Sequence, residues 1–224
     1  MNILLTNDDG YDFHGLVLLK EKLKKYGHVV VVAPMSAMSG MSVAIIFGRS
    51  VKVKKIQDDV YAMEGTPADC VAFGLSSLDT KFDLVVSGCN DGSNICMDVL
   101  YSGTVGACLQ ALSYRVPAIA FSAYEGKFEP AEKNIELVMD YILNNNLLST
   151  EYLLNVNFPK DNETKGIKMT HYHYRKETTY YVKSGDEQYL AKRDVLDELC
   201  EDKDSDAYAV HHGYISINKL NKMI

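Results

Sequence analysis

The sequence lacks the features of secreted disulfide proteins and of membrane proteins. Its 224 residues include five cysteines, an odd number without a CxxC pair, so we expect free thiols in a reducing compartment. No apolar run approaches the length of a membrane span, and the first residues show no secretion-signal pattern. These absences predict a cytoplasmic protein without a membrane segment.

The sequence also lacks an excess of positive charge. Lys and Arg number 23 against 30 Asp and Glu, which gives a formal net charge of −7. Proteins that bind long DNA or RNA need positive charge for much of their affinity, so we expect no long nucleic acid as a partner. The P-loop lysine motif, GxGxxG, HExxH and GxSxG are absent too, whereas a single nucleotide remains compatible with the composition.

The residues that are present have the balance of a globular protein, with 47% apolar and 24% charged side chains. Apolar runs at 2–6 and 29–33 predict buried strands, and a helical period lies between them at 15–25. A strand, a helix and a strand joined by short links form a right-handed crossover. The sequence therefore predicts an α/β fold with a mostly parallel sheet.

Similar signals continue along the chain. We predict helices at 70–78, 104–112 and 131–143, and strands at 83–87, 118–122 and 153–158. Thr66 and Pro67 place a capping residue and a proline at the start of the first of these helices. β-rich runs at 42–47, 51–56 and 60–64 predict an antiparallel excursion, and 88–103 predicts a long polar loop.

The patterning weakens after Pro159, and a last short strand is predicted at 214–217. We therefore divide the chain into a catalytic core, 1–158, and a β-rich C-terminal segment, 159–224. By itself the pattern leaves open whether this segment folds back on the sheet or reaches another subunit.

Polar residues follow the predicted strands at their carboxyl ends, where open α/β sheets bind ligands. Asp8 and Asp9 end the first strand, and adjacent carboxylates repel each other unless a proton or a divalent cation lies between them. A solvated Asx turn is the alternative interpretation. After the second strand, Ser39 offers a neutral oxygen beside Gly40, although Ser-Gly is also a common turn.

The third polar loop is rich in glycine, asparagine and serine. Asn90 and Asn94 offer amide groups to a cation or to phosphate. Ser102, Gly103 and Thr104 open the next helix, whose terminal amides favour an anion. Together with the two aspartates, these groups predict metal-assisted phosphoryl transfer to water.

Several sequence blocks occur in the order typical of one known family. They are Thr6-Asn7-Asp8-Asp9-Gly10, Ser39-Gly40, Gly65-Thr66-Pro67-Ala68-Asp69, Ser87-Gly88-Cys89-Asn90 and Tyr101-Ser102-Gly103-Thr104-Val105. In these blocks the chain resembles the SurE (survival protein E) family of metal-dependent 5′-nucleotidases. The resemblance spans residues 1–125 and returns at 213–217, and it departs from the family pattern at Met35, Cys89 and Cys96.

The resemblance implies a Rossmann-like fold with helices on both faces of the sheet, and hydrolysis of nucleoside 5′-monophosphates. It also implies that the β-rich C-terminal segment is exchanged between subunits of a homodimer or homotetramer. One Mg²⁺ or Mn²⁺ per subunit would be bound by Asp8, Asp9, Ser39 and Asn90, the two acids being catalytic. Substrate phosphate would be bound by Asn94, Ser102, Gly103 and Thr104.

Other functions stay open at this point. A receiver-type phospho-acceptor domain also binds Mg²⁺ through an acid pair after its first strand, but it needs a third aspartate where this chain has Gly88-Cys89-Asn90. A non-enzymatic nucleotide-binding module would use the same loops. Among the histidines, we interpret His14 as a loop or substrate-rim residue rather than a catalytic base. His171 and His173 form a candidate metal pair with only two visible ligands.

Overall fold

The computed structural model describes residues 1–195 and 201–221. They form a nine-stranded sheet with helices on both faces and a separate two-stranded hairpin, which confirms the predicted α/β class. In chain order the elements are β1 (Asn2–Thr6), α1 (His14–Leu23), β2 (His28–Pro34), β3 (Val53–Gln57), β4 (Val60–Met63), α2 (Pro67–Ser77), β5 (Leu84–Asp91), α3 (Asp98–Tyr101), α4 (Gly103–Ser113), β6 (Ala118–Ala123), α5 (Glu129–Asn144), β7 (Tyr152–Asn157), β8 (Ile167–Thr170), β9 (Glu177–Gly185), β10 (Gln188–Val195), α6 (Asp206–His211) and β11 (Ile215–Asn221).

The strand order of the large sheet is β3-β4-β2-β1-β5-β6-β7-β11-β8. The six strands from β4 to β7 are parallel, β3 and β11 run antiparallel to their inner neighbours, and β8 is parallel to β11. The carboxyl ends of parallel strands meet at one edge of a sheet. This topology therefore brings together the loops that follow β1, β2 and β5.

Alternating side chains of the central strands build a core on each face of the sheet. In β1, Ile3 and Leu5 pack with the apolar residues of α1 and α5, whereas Leu4 packs with those of α2 and α4. All three side chains are fully buried, because a strand with a covered face on either side exposes neither set of residues to water.

Helix α2 begins at a capping box. The Thr66 hydroxyl accepts from the Asp69 amide at 3.1 Å, and the Thr66 amide donates to the Asp69 carboxylate at 3.0 Å. This arrangement satisfies two amides that have no partner inside the helix. The Thr-Pro signal thus predicted the start of this helix correctly.

The strand predicted at 42–47 is wrong. The segment is irregular, and its apolar side chains apart from the half-buried Ile46 are exposed, with Phe47 at 93%. Its backbone is bound by other groups: the Thr66 hydroxyl donates to the Ala44 carbonyl, and the Ile46 amide donates to the Asp69 carboxylate. The β-rich composition was misleading because the segment pairs with no strand of the described residues, whereas the antiparallel pair β3–β4 does form.

The continuous loop predicted at 88–103 is also only partly correct. Strand β5 runs on to Asp91, since Asn90 and Asp91 pair with Ser122 and Ala123 of β6. A single helical turn, α3, then precedes α4. The glycines and asparagines looked like a loop, but strand pairing outweighs their low strand propensity here.

The C-terminal segment contributes to the large sheet through β8 and β11, while β9 and β10 pair with each other as the separate hairpin. Division of the chain at residue 158 and exchange of the segment between subunits remain predictions. In the part of the chain that the structure describes, no helix has the length and apolar character needed to cross a bilayer.

Candidate active site

The loops after β1, β2 and β5 enclose a cavity of about 260 Å³, which we call the aspartate cavity. Six of the eight residues predicted from sequence line it, namely Asp8, Asp9, Ser39, Asn90, Asn94 and Ser102. The other two, Gly103 and Thr104, contact the side chain of Asp8. The structure thus brings the whole predicted set together, although it leaves the roles of its members as predictions.

Asp8 is buried and held by the start of α4. The Thr104 hydroxyl donates to Asp8 Oδ1 at 2.6 Å. A Cβ at position 103 would lie only 2.9 Å from the Asp8 Cβ, so glycine allows this close approach. Burial raises the pKa of Asp8, and the hydrogen bond from Thr104 opposes that shift. Because the Thr104 proton is used here, this residue orients Asp8, and its phosphate contact stays a prediction.

The environment of Asp9 is suited to a bound cation. Its Oδ2 atom is buried and has no hydrogen-bond partner among the described residues. Burial, followed by the charge of Asp8, raises the pKa of Asp9 from 3.8 to about 7. Two close carboxylates in a desolvated position repel each other, so this pair fits a divalent cation bound by oxygen atoms.

Two neutral side-chain oxygens, those of Asn90 and Ser39, are further possible metal ligands at the site. The Asn90 side-chain nitrogen donates to the Gly92 carbonyl at 2.7 Å, which leaves the Asn90 Oδ1 atom as its available acceptor. Ser39 is exposed at the mouth of the cavity. No group of three or more His, Cys, Asp or Glu side chains suited to a metal occurs in residues 1–195 and 201–221. A cation in the aspartate cavity would therefore depend on these amide and hydroxyl oxygens beside the two aspartates.

Helix α4 directs its N-terminus at the cavity. Ser102 is its N-cap, and its hydroxyl accepts from the Val105 amide at 3.1 Å. The following amides carry the positive end of the helix dipole, which favours an anion. The arrangement suits a phosphate opposite the two aspartates.

Asn94 is held by three side chains that were not predicted from the sequence. Its amide donates to Asn157 Oδ1 at 2.7 Å, its carbonyl accepts from Asn155 Nδ2 at 2.7 Å, and its side-chain nitrogen donates to the Ser122 hydroxyl at 2.8 Å. All four residues are buried. Two asparagines spaced by two residues in an otherwise apolar strand were the available signal, because that spacing puts both on one face.

The hairpin is joined to the rim of the site by ion pairs. Arg175 lies 3.3 Å from the Asp98 carboxylate and 2.6 Å from Glu177, measured between nitrogen and oxygen atoms. Arg193 of β10 also pairs with Asp98. Since Asp98 lines the aspartate cavity, these contacts connect the β9–β10 hairpin to the site.

The candidate histidines lie outside the aspartate cavity. The His14 ring packs edge-to-face on Phe128 with centroids 5.3 Å apart. His171 bonds to Asp202 at 2.6 Å, and the backbone amide of His173 donates to Asp206. The side-chain contacts support a structural interpretation of His14, which is the first residue of α1 rather than a loop residue, and of His171.

Known proteins with related sequences and structures come from one family. The family model described as Survival protein SurE matches residues 3–179. A protein named 5′-nucleotidase SurE from Acinetobacter baumannii is 38% identical over 98% of this chain and 93% of its own length. One of the same name from Aquifex aeolicus is 37% identical over 97% of this chain and 91% of its own length.

The structural comparison agrees. The crystal structure of the SurE protein from Aquifex aeolicus superimposes with a TM-score of 0.87 at 35% sequence identity, and it covers 100% of this chain and 94% of that protein. The match includes the strands and loops that form the aspartate cavity. The chain therefore belongs to the SurE family.

Proposed function

We propose that this protein is a 5′-nucleotidase that hydrolyses nucleoside 5′-monophosphates to nucleoside and phosphate with one bound Mg²⁺ or Mn²⁺. Its SurE relatives carry the name 5′-nucleotidase, which supports the enzyme class. The observation that supports a metal at this site is Asp9 Oδ2, which is buried beside Asp8 in the aspartate cavity and has no hydrogen-bond partner within 1–195 and 201–221. Such an atom is costly unless a proton or cation compensates it.

The residues of the chain have distinct tasks in this proposal. Asp8, Asp9, Ser39 and Asn90 hold the cation, and Asn94 and the N-terminus of α4 bind the phosphate. When bound, the cation neutralises the carboxylates and draws charge from the phosphoryl group in the transition state. Water adds to phosphorus, the bond between phosphorus and the 5′ oxygen breaks, and one proton of the water ends on that oxygen, so that nucleoside and phosphate are released. Thr104 keeps Asp8 in place throughout, which contributes preorganisation.

Two further parts of the proposal concern the whole protein. We propose that it acts in the cytoplasm, which is supported by the burial of Cys70, Cys89 and Cys108 as thiols.

We also propose a homodimer or homotetramer formed through the C-terminal segment. Exposed apolar side chains on the β9–β10 hairpin, including Tyr181 at 68% and Leu190 at 56%, support this assembly.

The experiment is a phosphate-release assay over a panel of nucleoside 5′-monophosphates with Mg²⁺, Mn²⁺ or EDTA. We expect turnover with metal and none with chelator. Asp8→Asn and Asp9→Asn should each lower kcat by roughly 10²- to 10³-fold while circular dichroism stays unchanged. Asp12→Asn, which alters an exposed acid in the same loop, is the matched control and should retain activity.

Other outcomes would favour the rival functions. Full activity with EDTA, or in either aspartate variant, contradicts the proposed site. Nucleotide binding without phosphate release indicates a non-enzymatic binding module, and a stable acyl-phosphate indicates a receiver-type domain.

A further inference from the structure

A second cavity, of about 390 Å³, adjoins the aspartate cavity. Its volume lies in the range of small-molecule pockets. We call it the tyrosine cavity, because Tyr124 lines it together with Ile95, Glu125, Arg175 and His211. The two cavities share the wall formed by Asp91, Gly92, Ser93 and Asp98.

We propose that the tyrosine cavity binds the nucleoside part of the substrate, with Tyr124 and His211 in contact with the base. This inference rests on the proposed nucleotidase function, which places the phosphate in the aspartate cavity. The nucleoside of a substrate whose phosphate is bound in the aspartate cavity can enter the tyrosine cavity over the shared wall.

Tyr124 presents a rigid aromatic surface. It is half-buried and packs against the apolar cluster of Ile95, Ala207 and Val210. Its ring meets the His211 ring edge-to-face, with centroids 6.5 Å apart and planes at 80°. An aromatic ring held in this way suits stacking with a nucleobase, and such stacking tolerates any base because each has a π face.

His211 adds polar recognition to this surface. Burial, then the neighbouring charges of His212 and Arg175, lower the pKa of His211, so the ring is neutral near pH 7. A neutral imidazole offers one donor and one acceptor. These groups match the mixed donor and acceptor edge of a base.

The charges of the tyrosine cavity favour a nucleoside over a second phosphate. Among the described residues, Asp91, Asp98 and Glu125 line it together with one cationic side chain, Arg175. Arg175 is already paired with Asp98 and Glu177. Carboxylates repel phosphate groups but accept hydrogen bonds from ribose hydroxyls. The cavity is therefore suited to an unphosphorylated ribose and a base, as in a nucleoside 5′-monophosphate.

A larger apolar groove of about 430 Å³ does not serve this purpose. Val99, Leu109 and Leu220 are among its lining residues, and it shares none with the aspartate cavity. When the phosphate is bound in the aspartate cavity, the base of the substrate reaches the tyrosine cavity over the shared wall instead.

The test compares substrates with and without a base. Tyr124→Ala and His211→Ala are assayed on adenosine 5′-monophosphate and on ribose 5-phosphate with Mn²⁺. We expect each variant to raise KM for the nucleotide roughly tenfold, while kcat and the KM for ribose 5-phosphate change less than twofold. His212→Ala is the matched control, because this neighbouring ring stacks on Tyr208 and does not line the cavity.

Three results would overturn the inference: an unchanged KM for the nucleotide, an equal rise for ribose 5-phosphate, or the same effect in His212→Ala.

A second measurement separates the inference from the proposed function. Adenosine, which has no phosphate, should bind the wild type in calorimetry and bind both cavity variants more weakly. If the wild type cleaves no monophosphate yet shows this pattern, the proposed function is wrong and the nucleoside site stands.

Discussion

At the scale of single residues, the ionised form of Asp9 is destabilised by its position. Its carboxylate is desolvated beside Asp8, and both effects raise its pKa to about 7. The folded protein keeps this proton up to about pH 7, whereas the unfolded chain loses it near 3.8. In the absence of a cation, stability contributed by the protonated form is lost as the pH rises through this window.

Replacement of Asp9 by asparagine should therefore stabilise the metal-free protein at pH 8. The full pKa shift corresponds to about 4 kcal/mol, which solvent contact of the partly exposed side chain reduces to about 1–2 kcal/mol. We expect Asp9→Asn to raise Tm by roughly 3–6 °C in EDTA, with a smaller gain at pH 5.5, measured by differential scanning calorimetry.

Added Mn²⁺ should reverse the order of the Tm values of the wild type and Asp9→Asn. It should raise the Tm of the wild type, because a ligand that binds only the folded state stabilises it, and it should leave Asp9→Asn nearly unchanged. Asp12→Asn is the control and should respond to Mn²⁺ like the wild type. A lower Tm of Asp9→Asn in EDTA would show that the carboxylate is stabilising, contrary to this account.

At the scale of elements, β7 determines the position of the loop that carries Asn94. Its Asn155 and Asn157 side chains bond to the carbonyl and the amide of Asn94. Buried polar groups of this kind are held firmly because each lost partner leaves a desolvated donor or acceptor. The strand thus acts on the site through a single residue of the adjoining loop.

Asn157→Leu should lower kcat/KM for a nucleoside 5′-monophosphate by roughly 10- to 100-fold, as observed when groups that orient ligands are removed. The decisive measurement is a double-mutant cycle with Asn94→Ala. If Asn157 acts through Asn94, the double variant loses no more activity than Asn94→Ala alone.

The control for this series is Asn218→Leu. Asn218 is also buried, lies in β11 and pairs in register with Asn155, but it does not line the aspartate cavity. It should keep kcat/KM within twofold of the wild type. Additive losses in the cycle would indicate a general structural effect of Asn157 rather than positioning.

At the scale of the whole molecule, the β9–β10 hairpin is exposed. An isolated two-stranded hairpin has marginal stability in water, and ion pairs of Asp98 with Arg175 and Arg193 connect it to the rest of the described chain. Val182 and Leu190 lie opposite each other in its register, at 40% and 56% exposure. A second copy of the chain would cover this apolar pair in the proposed oligomer.

The combined variant Val182→Lys with Leu190→Glu should shift the protein towards the monomer. Opposite charges across the pair preserve the hairpin, while their desolvation disfavours a subunit interface. Light scattering after size-exclusion chromatography gives the mass. Val17→Lys with Leu137→Glu changes equally exposed residues of α1 and α5 and should retain the wild-type mass; equal masses for all three proteins would exclude the hairpin as the interface.

Much of the fold was predictable because its signals are local. The apolar period predicted β1 at 2–6 and the helix that follows it, and Thr66-Pro67 predicted the start of α2. The prediction failed at 42–47, because a strand needs a neighbouring strand to pair with, and the local sequence does not show whether one is present. At 88–103, pairing with β6 extended β5 through residues that are locally typical of a loop.

The α/β class, the order of most elements and the three chain segments that form the site follow from local patterns in the sequence, since apolar period and turn residues act over a few positions. The contacts of each site residue depend on the three-dimensional fold. Thr104 bonds to Asp8 across 96 positions of the chain, and Asn157 bonds to Asn94 across 63. Strand order and helix packing bring these distant residues into contact. Local sequence patterns cannot predict such contacts, because they extend over only a few positions.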